Sequence, residues 1–168
     1  MTEALIGLGA NLGERARTMR RGLWSLGLPV AAVSSLYESL PVETEISQPS
    51  YLNAVAAVLV PPGMAARELL DRMLAVEASL GRVRGPGKPP RTLDLDLLLF
   101  GAESRDESGL ILPHPGLLRR RFVLEPLLEV RPGVRLPDGR GLGPYLAASL
   151  DQAVRLAEGR CWWWRIAD

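Results

Sequence analysis

The chain has 168 residues, 47% of them apolar, with a formal charge of +1 and one cysteine. That length supports one well-formed core, and with no break in composition residues 1–168 read as a single domain. A near-neutral charge argues against a broad basic field for nucleic acid, and Cys161 alone excludes an intramolecular disulfide framework or a cysteine-rich metal site.

Residues 4–9 read as a short buried strand, followed by the loop Gly9-Ala10-Asn11-Leu12-Gly13 and a helix whose Ala16, Met19, Leu23 and Leu26 form an apolar stripe. The helix ends near Gly27 and Pro29. Residues 30–38 alternate enough for a second strand, 39–50 form a polar loop, and 51–60 are the clearest strand. Pro61-Pro62-Gly63 stops it, and a helix over 64–80 follows, with Ala66, Leu69, Leu70, Met73 and Leu80 on one stripe. A Gly/Pro-rich loop, 81–90, leads into a strand over 91–100. Strand, helix, strand, strand, helix, strand is the order of an α+β ferredoxin-like plait, an antiparallel βαββαβ sheet with helices packed on one face. Beyond residue 100 come a polar loop, Leu112-Pro113-His114-Pro115-Gly116, short helical pieces over 117–130, and a C-terminal extension over 147–168. Its Cys161-Trp162-Trp163-Trp164 is expected to fold back over apolar surface or to contact a partner. No run approaches roughly 18 apolar residues and the N-terminus lacks a basic region before an apolar one, so a soluble cytoplasmic protein is expected.

The strand over 91–100 carries the most chemistry. Asp94 and Asp96 share one face while Leu93, Leu95 and Leu97 take the other, and two carboxylates roughly 7 Å apart repel unless a cation lies between them. Arg82, Arg84, Lys88 and Arg91 precede the pair with no acid among them. Cations for phosphates beside carboxylates for Mg²⁺ make up a phosphoryl-transfer site. Neither Gly7-x-Gly9-x-x-x-Gly13 nor the segment from Gly81 to Lys88 fits a glycine-rich phosphate motif, so a nucleotide would be held by side chains and metal. Glu77 falls near the apolar stripe of its helix, which suits either a salt bridge to Arg82 or Arg84 or a contact with a substrate hydroxyl. Tyr51 and Asn53 point to one face of their strand, a flat ring beside an amide. Taken singly, Tyr51, the lone His114 and Phe122 fit structural roles as well as ligand contacts. Single-stranded RNA binding on a plait sheet wants several stacking aromatics, and among the strands Tyr51 alone qualifies.

Together these residues resemble the 6-hydroxymethyl-7,8-dihydropterin pyrophosphokinase family of folate biosynthesis, over about residues 4–146. The resemblance is carried by Gly81-Arg82-Val83-Arg84 with Pro90-Arg91-Thr92-Leu93-Asp94-Leu95-Asp96, by Gly9-Ala10-Asn11-Leu12-Gly13, by Tyr51-Leu52-Asn53-Ala54, and by Pro113-His114 followed by Arg120 and Phe122. It implies a ferredoxin-like fold and transfer of pyrophosphate from ATP to the pterin, with AMP released and no nucleic acid or membrane partner. By position, it implies that Asp94 and Asp96 ligate two Mg²⁺ ions and that Arg82 and Arg91 steady charge on the moving group. Arg84, Lys88, His114 and Arg120 would hold ATP phosphates, Glu77 the nucleoside, and Leu97 and Ile111 the adenine. The pterin would lie between Tyr51 and Phe122, read by Asn53, near Asp94, with the backbone around Ser39, Leu40 and Val42 completing the pocket. A monomer is expected, with higher oligomers left open. The chain departs from the family where Gly87-Lys88-Pro89-Pro90-Arg91 replaces a common Arg-Trp-Gly-Pro-Arg, where Pro115 stands for a Tyr, and where Leu74 stands for a Gln.

Overall fold

The computed structural model describes residues 1–41, 47–81 and 90–164. Strand β1 (Thr2–Ala10) leads to helix α1 (Arg15–Ser25), then β2 (Val30–Val33), β3 (Leu36–Ser39), β4 (Tyr51–Val60), helix α2 (Ala66–Ser79) and β5 (Asp94–Phe100). A small hairpin, β6 (Arg105–Glu107) and β7 (Leu110–Leu112), precedes α3 (Arg121–Val130), α4 (Gly143–Ala147) and a last strand, β8 (Val154–Glu158). The main sheet is antiparallel, in the order β5-β1-β4-β3-β8, with β2 also paired to β4.

Strand periodicity puts Ala4, Ile6, Leu8 and Ala10 of β1 on the face that also carries Leu52, Ala54, Ala56 and Val58 of β4 and Leu95 and Leu97 of β5. Met19 and Leu23 of α1 and Leu69 and Met73 of α2 pack there, as the sequence leads one to expect, and Val76 joins them. The helices are not confined to that face. Val123, Leu124, Leu127 and Val130 of α3 pack on the other side against Leu5, Val55, Ala57, Leu98 and Leu99. The physical reason lies in β4: its residues 52 to 58 are buried at both parities, and a strand apolar on both sides needs cover on both. The register of β1 against β5 shifts between Leu5 and Ile6, so Leu98 is a bulge residue and the adjacent Leu98 and Leu99 both face α3.

The single strand expected over 30–38 is broken at Ser34 and Ser35. Ser34 Oγ accepts the Val55 N–H at 2.9 Å, and Glu129 of α3 accepts the Ser35 N–H at 3.0 Å and its hydroxyl at 2.9 Å. Tyr37 Oη donates to the same carboxylate at 2.9 Å and Arg160 Nε at 2.7 Å, so the interrupted ladder is satisfied by side chains. Burial and the neighbouring Glu129 carboxylate raise the Tyr37 phenol well above its ordinary range.

The tail does fold back. Trp162 is 2% exposed, its Nε1–H donates to the Ser34 carbonyl at 2.8 Å, and its own carbonyl accepts from Arg20 Nη1 at 2.9 Å. Trp164, by contrast, is 55% exposed. Trp162→Ala should therefore lower unfolding free energy by about 3–5 kcal/mol in a urea titration. Trp164→Ala should change it by less than about 0.5 kcal/mol, and equal losses for the two variants would contradict this placement.

Candidate active site

The second face of the sheet is covered by α3 at one end and forms a cleft at the other. The floor is β1, where Gly7 lies between Val55 and Asp96 in register and Gly9 between Asn53 and Asp94. A Cβ on Gly9 would stand 3.8 Å from Asn53 Oδ1, 3.9 Å from Asp94 Cβ and 3.9 Å from Tyr51 Cδ1. Glycine in mid-strand thus leaves a trough between the side chains of the flanking strands. The resulting cavity has an empty volume of about 800 Å³, open mouth included, in the range of small-molecule sites.

The polar wall at β3 and β4 is preorganised. Asn53, 5% exposed, donates from Nδ2 to Ser39 Oγ at 2.9 Å and to the Tyr37 carbonyl at 3.2 Å. Both amide protons are used there, which turns Oδ1 toward the trough as a hydrogen-bond acceptor. Since Ser39 Oγ accepts from Asn53, its own proton can be donated. An acceptor beside a donor suits the edge of a polar heterocycle. Two rings line the same cavity, Tyr51 from the start of β4 and Phe122 from the first turn of α3, where the Arg120 guanidinium lies 5.9 Å from the ring centroid.

At the other wall stand the carboxylates. Arg91 Nη1 pairs with Asp94 Oδ2, and His114 Nε2 lies 3.6 Å from Asp96 Oδ1. His114 Nδ1 accepts the Gly116 N–H at 3.0 Å, so a neutral ring carries its proton on Nε2, toward Asp96. Burial and the Asp94 charge push the Asp96 carboxyl above its ordinary range, while His114, Arg120 and Arg91 pull it back. Such a pair gains from a cation. Among the described residues no group of three or more His, Cys, Asp or Glu is arranged to hold a metal ion. Two carboxylates alone suit Mg²⁺, which keeps waters and completes its shell with substrate phosphates.

Of the residues singled out in the sequence, Ser39, Leu40, Tyr51, Asn53, Arg91, Asp94, Asp96, Arg120 and Phe122 line this one cavity, and His114 adjoins it through Asp96. Three others stand apart. The Leu97 side chain is 3% exposed and belongs to the core packed by α1 and α2, on the face away from the cleft. Ile111 is 48% exposed on the β6-β7 hairpin, outside the cavity lining. Glu77 is 1% exposed, and its Oε1 accepts the N–H of Leu95 on edge strand β5 at 2.6 Å. Val42, Arg82, Arg84 and Lys88 lie outside the described residues, and so do the ion pairs considered between Glu77 and Arg82 or Arg84. Pro41 lines the cavity within the stretch from Ser39 to Val42 expected there, whereas sequence reasoning missed Gln48, from a stretch read as polar loop, and Gly7 and Gly9 as the floor. The signal available for the floor was two glycines at even spacing inside an apolar strand.

A family model described as 7,8-dihydro-6-hydroxymethylpterin-pyrophosphokinase (HPPK) matches residues 5–132. The 2-amino-4-hydroxy-6-hydroxymethyldihydropteridine pyrophosphokinase of Pseudomonas aeruginosa is 43% identical over 158 residues, covering 92% of this chain and 96% of that protein. The enzyme of the same name from Bacillus subtilis is 40% identical over 131 residues, 76% of this chain and 77% of that one. Among solved structures, wild-type Plasmodium falciparum HPPK-DHPS with SDX-DHP superposes with a TM-score of 0.69 over 88% of this chain and 44% of that longer one. At 11% identity, that likeness is one of fold. The chain belongs to the 7,8-dihydro-6-hydroxymethylpterin-pyrophosphokinase family.

Proposed function

We propose that the chain transfers the β,γ-pyrophosphoryl unit of ATP to the hydroxymethyl oxygen of 6-hydroxymethyl-7,8-dihydropterin, a step of folate biosynthesis that releases AMP. Family membership makes it an ATP-dependent diphosphokinase. The observation that carries the reading is a single cleft with a carboxylate pair and arginines at one wall and an amide with two aromatic rings at the other. The strand order β5-β1-β4, followed by β2 and β3, supports the ferredoxin-like plait. The chain is taken to work as one domain over residues 1–168, as a monomer in the cytoplasm; no described helix is long and apolar enough to cross a membrane.

The pterin ring lies between Tyr51 and Phe122 in this reading, with Asn53 Oδ1 accepting from its N–H edge and Ser39, Leu40 and Val42 closing the pocket. Asp94 and Asp96 hold two Mg²⁺ ions, which neutralise the triphosphate. Arg91 and Arg82 stabilise charge on the moving group and on AMP, and His114, Arg120, Arg84 and Lys88 bind phosphate oxygens. Glu77, Leu97 and Ile111 are assigned to the nucleoside by family position; for the buried Leu97 and Glu77, contact would come through backbone or after a local shift. The hydroxymethyl oxygen bonds to the β-phosphorus, the bond between the α,β-bridging oxygen and that phosphorus breaks, and the hydroxyl proton leaves. No side chain becomes covalently attached, so rate enhancement rests on alignment and electrostatics.

With ATP, Mg²⁺ and the dihydropterin, AMP and pterin diphosphate should form in equal amounts by chromatography; ADP in place of AMP would refute the reaction type. Asp96→Ala should cut turnover by about 10²-fold or more while the protein keeps its far-ultraviolet spectrum. Wild-type rates in that variant would remove the metal assignment. Gly9→Val should stay folded, since the new side chain projects into the open trough, yet lose about 1–3 kcal/mol of pterin binding free energy in calorimetry. Unchanged pterin affinity would show that the ring does not lie over Gly9.

A further inference from the structure

Asn11 follows the last residue of β1 and is 2% exposed. Its Oδ1 accepts the Arg91 N–H at 2.8 Å, and its own N–H donates to the Arg91 carbonyl at 3.1 Å, so the side chain stands in for a strand carbonyl. Its Nδ2 donates to Gln48 Oε1 at 3.0 Å and to the Pro49 carbonyl at 3.3 Å. The amide is thereby used on both sides. Gln48 lines the cleft, and its Oε1 also receives the Tyr51 hydroxyl at 3.4 Å. Asn11 itself does not line the cleft. One buried amide therefore joins the backbone of Arg91 at the phosphate wall to the segment that carries Gln48 and Tyr51 at the ring wall.

We propose that Asn11 is a positioning residue that sets the separation of the two substrate half-sites. The inference rests on the pyrophosphoryl-transfer reading above. In that reaction the acceptor oxygen must lie in line with the β-phosphorus, and a misplacement of about 1 Å can cost about 10²-fold in rate. Arg91 sits three residues before Asp94 and pairs with it, so a shift of the Arg91 backbone moves the charge lattice at the phosphate wall. A shift of Gln48 and Tyr51 moves the ring. Asn11 is the point at which both are held.

The test compares the full-length wild type with Asn11→Ala and Asn11→Asp, measuring kcat, both KM values and the calorimetric Kd of 6-hydroxymethylpterin. Asn11→Ala releases both segments, so kcat should fall by about 10²-fold and the pterin KM and Kd should rise. Asn11→Asp keeps an acceptor for the Arg91 N–H and loses both donors to 48 and 49. Its kcat should recover to within about tenfold of wild type, one hydrogen bond's worth, while pterin KM and Kd stay as high as in Asn11→Ala. Gln48→Ala, at a half-buried position that tolerates truncation, should reproduce the rise in pterin KM. Arg131→Ala, which removes the Glu3 bridge at the opposite end of β1, controls for general loss of stability and should leave kcat and both KM values unchanged. Kinetic constants within about twofold of wild type in both Asn11 variants, or equal kcat losses with pterin KM and Kd unmoved, would overturn the proposal. Absence of turnover in the wild type would instead remove the functional reading, and this inference with it.

Discussion

The sheet is longer than the helix that covers its second face, and the site follows from that mismatch. Helix α3 has 10 residues and β4 has 10 residues. At their respective rises the helix is about 15 Å long and the strand about 33 Å, so α3 covers roughly half of the face whichever way it crosses. Leu5, Val55, Ala57 and Leu98 lie under the helix. Past its first turn the same face carries Asn53, Asp94 and Asp96, with Gly7 and Gly9 between them. The opposite face is apolar along its length and packed by α1 and α2, which holds the polar face rigid from beneath. A cleft floored by strands keeps the side chains of that floor in fixed relation, as transfer between two substrates requires.

Within the cleft the controlling force is repulsion between like charges held on one strand. Arg91 answers Asp94, and His114 with Arg120 and Arg91 moderates Asp96. In the proposed reaction these groups would engage the triphosphate and its Mg²⁺, and binding would then exchange internal ion pairs for ones across the ligand. Exchange of that kind confines the strongest electrostatic interactions to the loaded state. At the ring wall the requirement is different. There Asn53 is oriented by Ser39 and Tyr37, and that orientation descends through Glu129 to α3 and the C-terminal turn.

Much of this was legible in the chain because it rests on local periodicity. The alternation of Asp94 and Asp96 with Leu93, Leu95 and Leu97 survives in the structure, since the bulge at Leu98 falls just after the carboxylates. Strand β4 and helix α2 were found near their observed bounds for the same reason. The second helical layer was not read, although the two-sided apolar run of β4 signals it. The break at Ser34 and Ser35 was missed because its hydrogen bonds are long-range: Ser34 bonds Val55 and Trp162, 21 and 128 positions away, and Ser35 bonds Glu129, 94 positions away. Gln48 and the bonding of Asn11 were equally hidden, since the partners of Asn11 lie 37, 38 and 80 positions away. Leu97 and Ile111 entered through family position alone and Glu77 through its place on a helix stripe, and among the described residues these three do not line the cleft.

The most direct measurement is a crystal structure with Mg²⁺, a 6-hydroxymethylpterin and an ATP analogue carrying a methylene bridge between the α- and β-phosphorus, where the scissile link would be. The expected result has metal ions between Asp94, Asp96 and the phosphates, the pterin between Tyr51 and Phe122 with its N–H edge on Asn53, and the hydroxymethyl oxygen facing the β-phosphorus. A triphosphate bound away from Asp94 and Asp96, or a pterin outside the trough over Gly9, would contradict it.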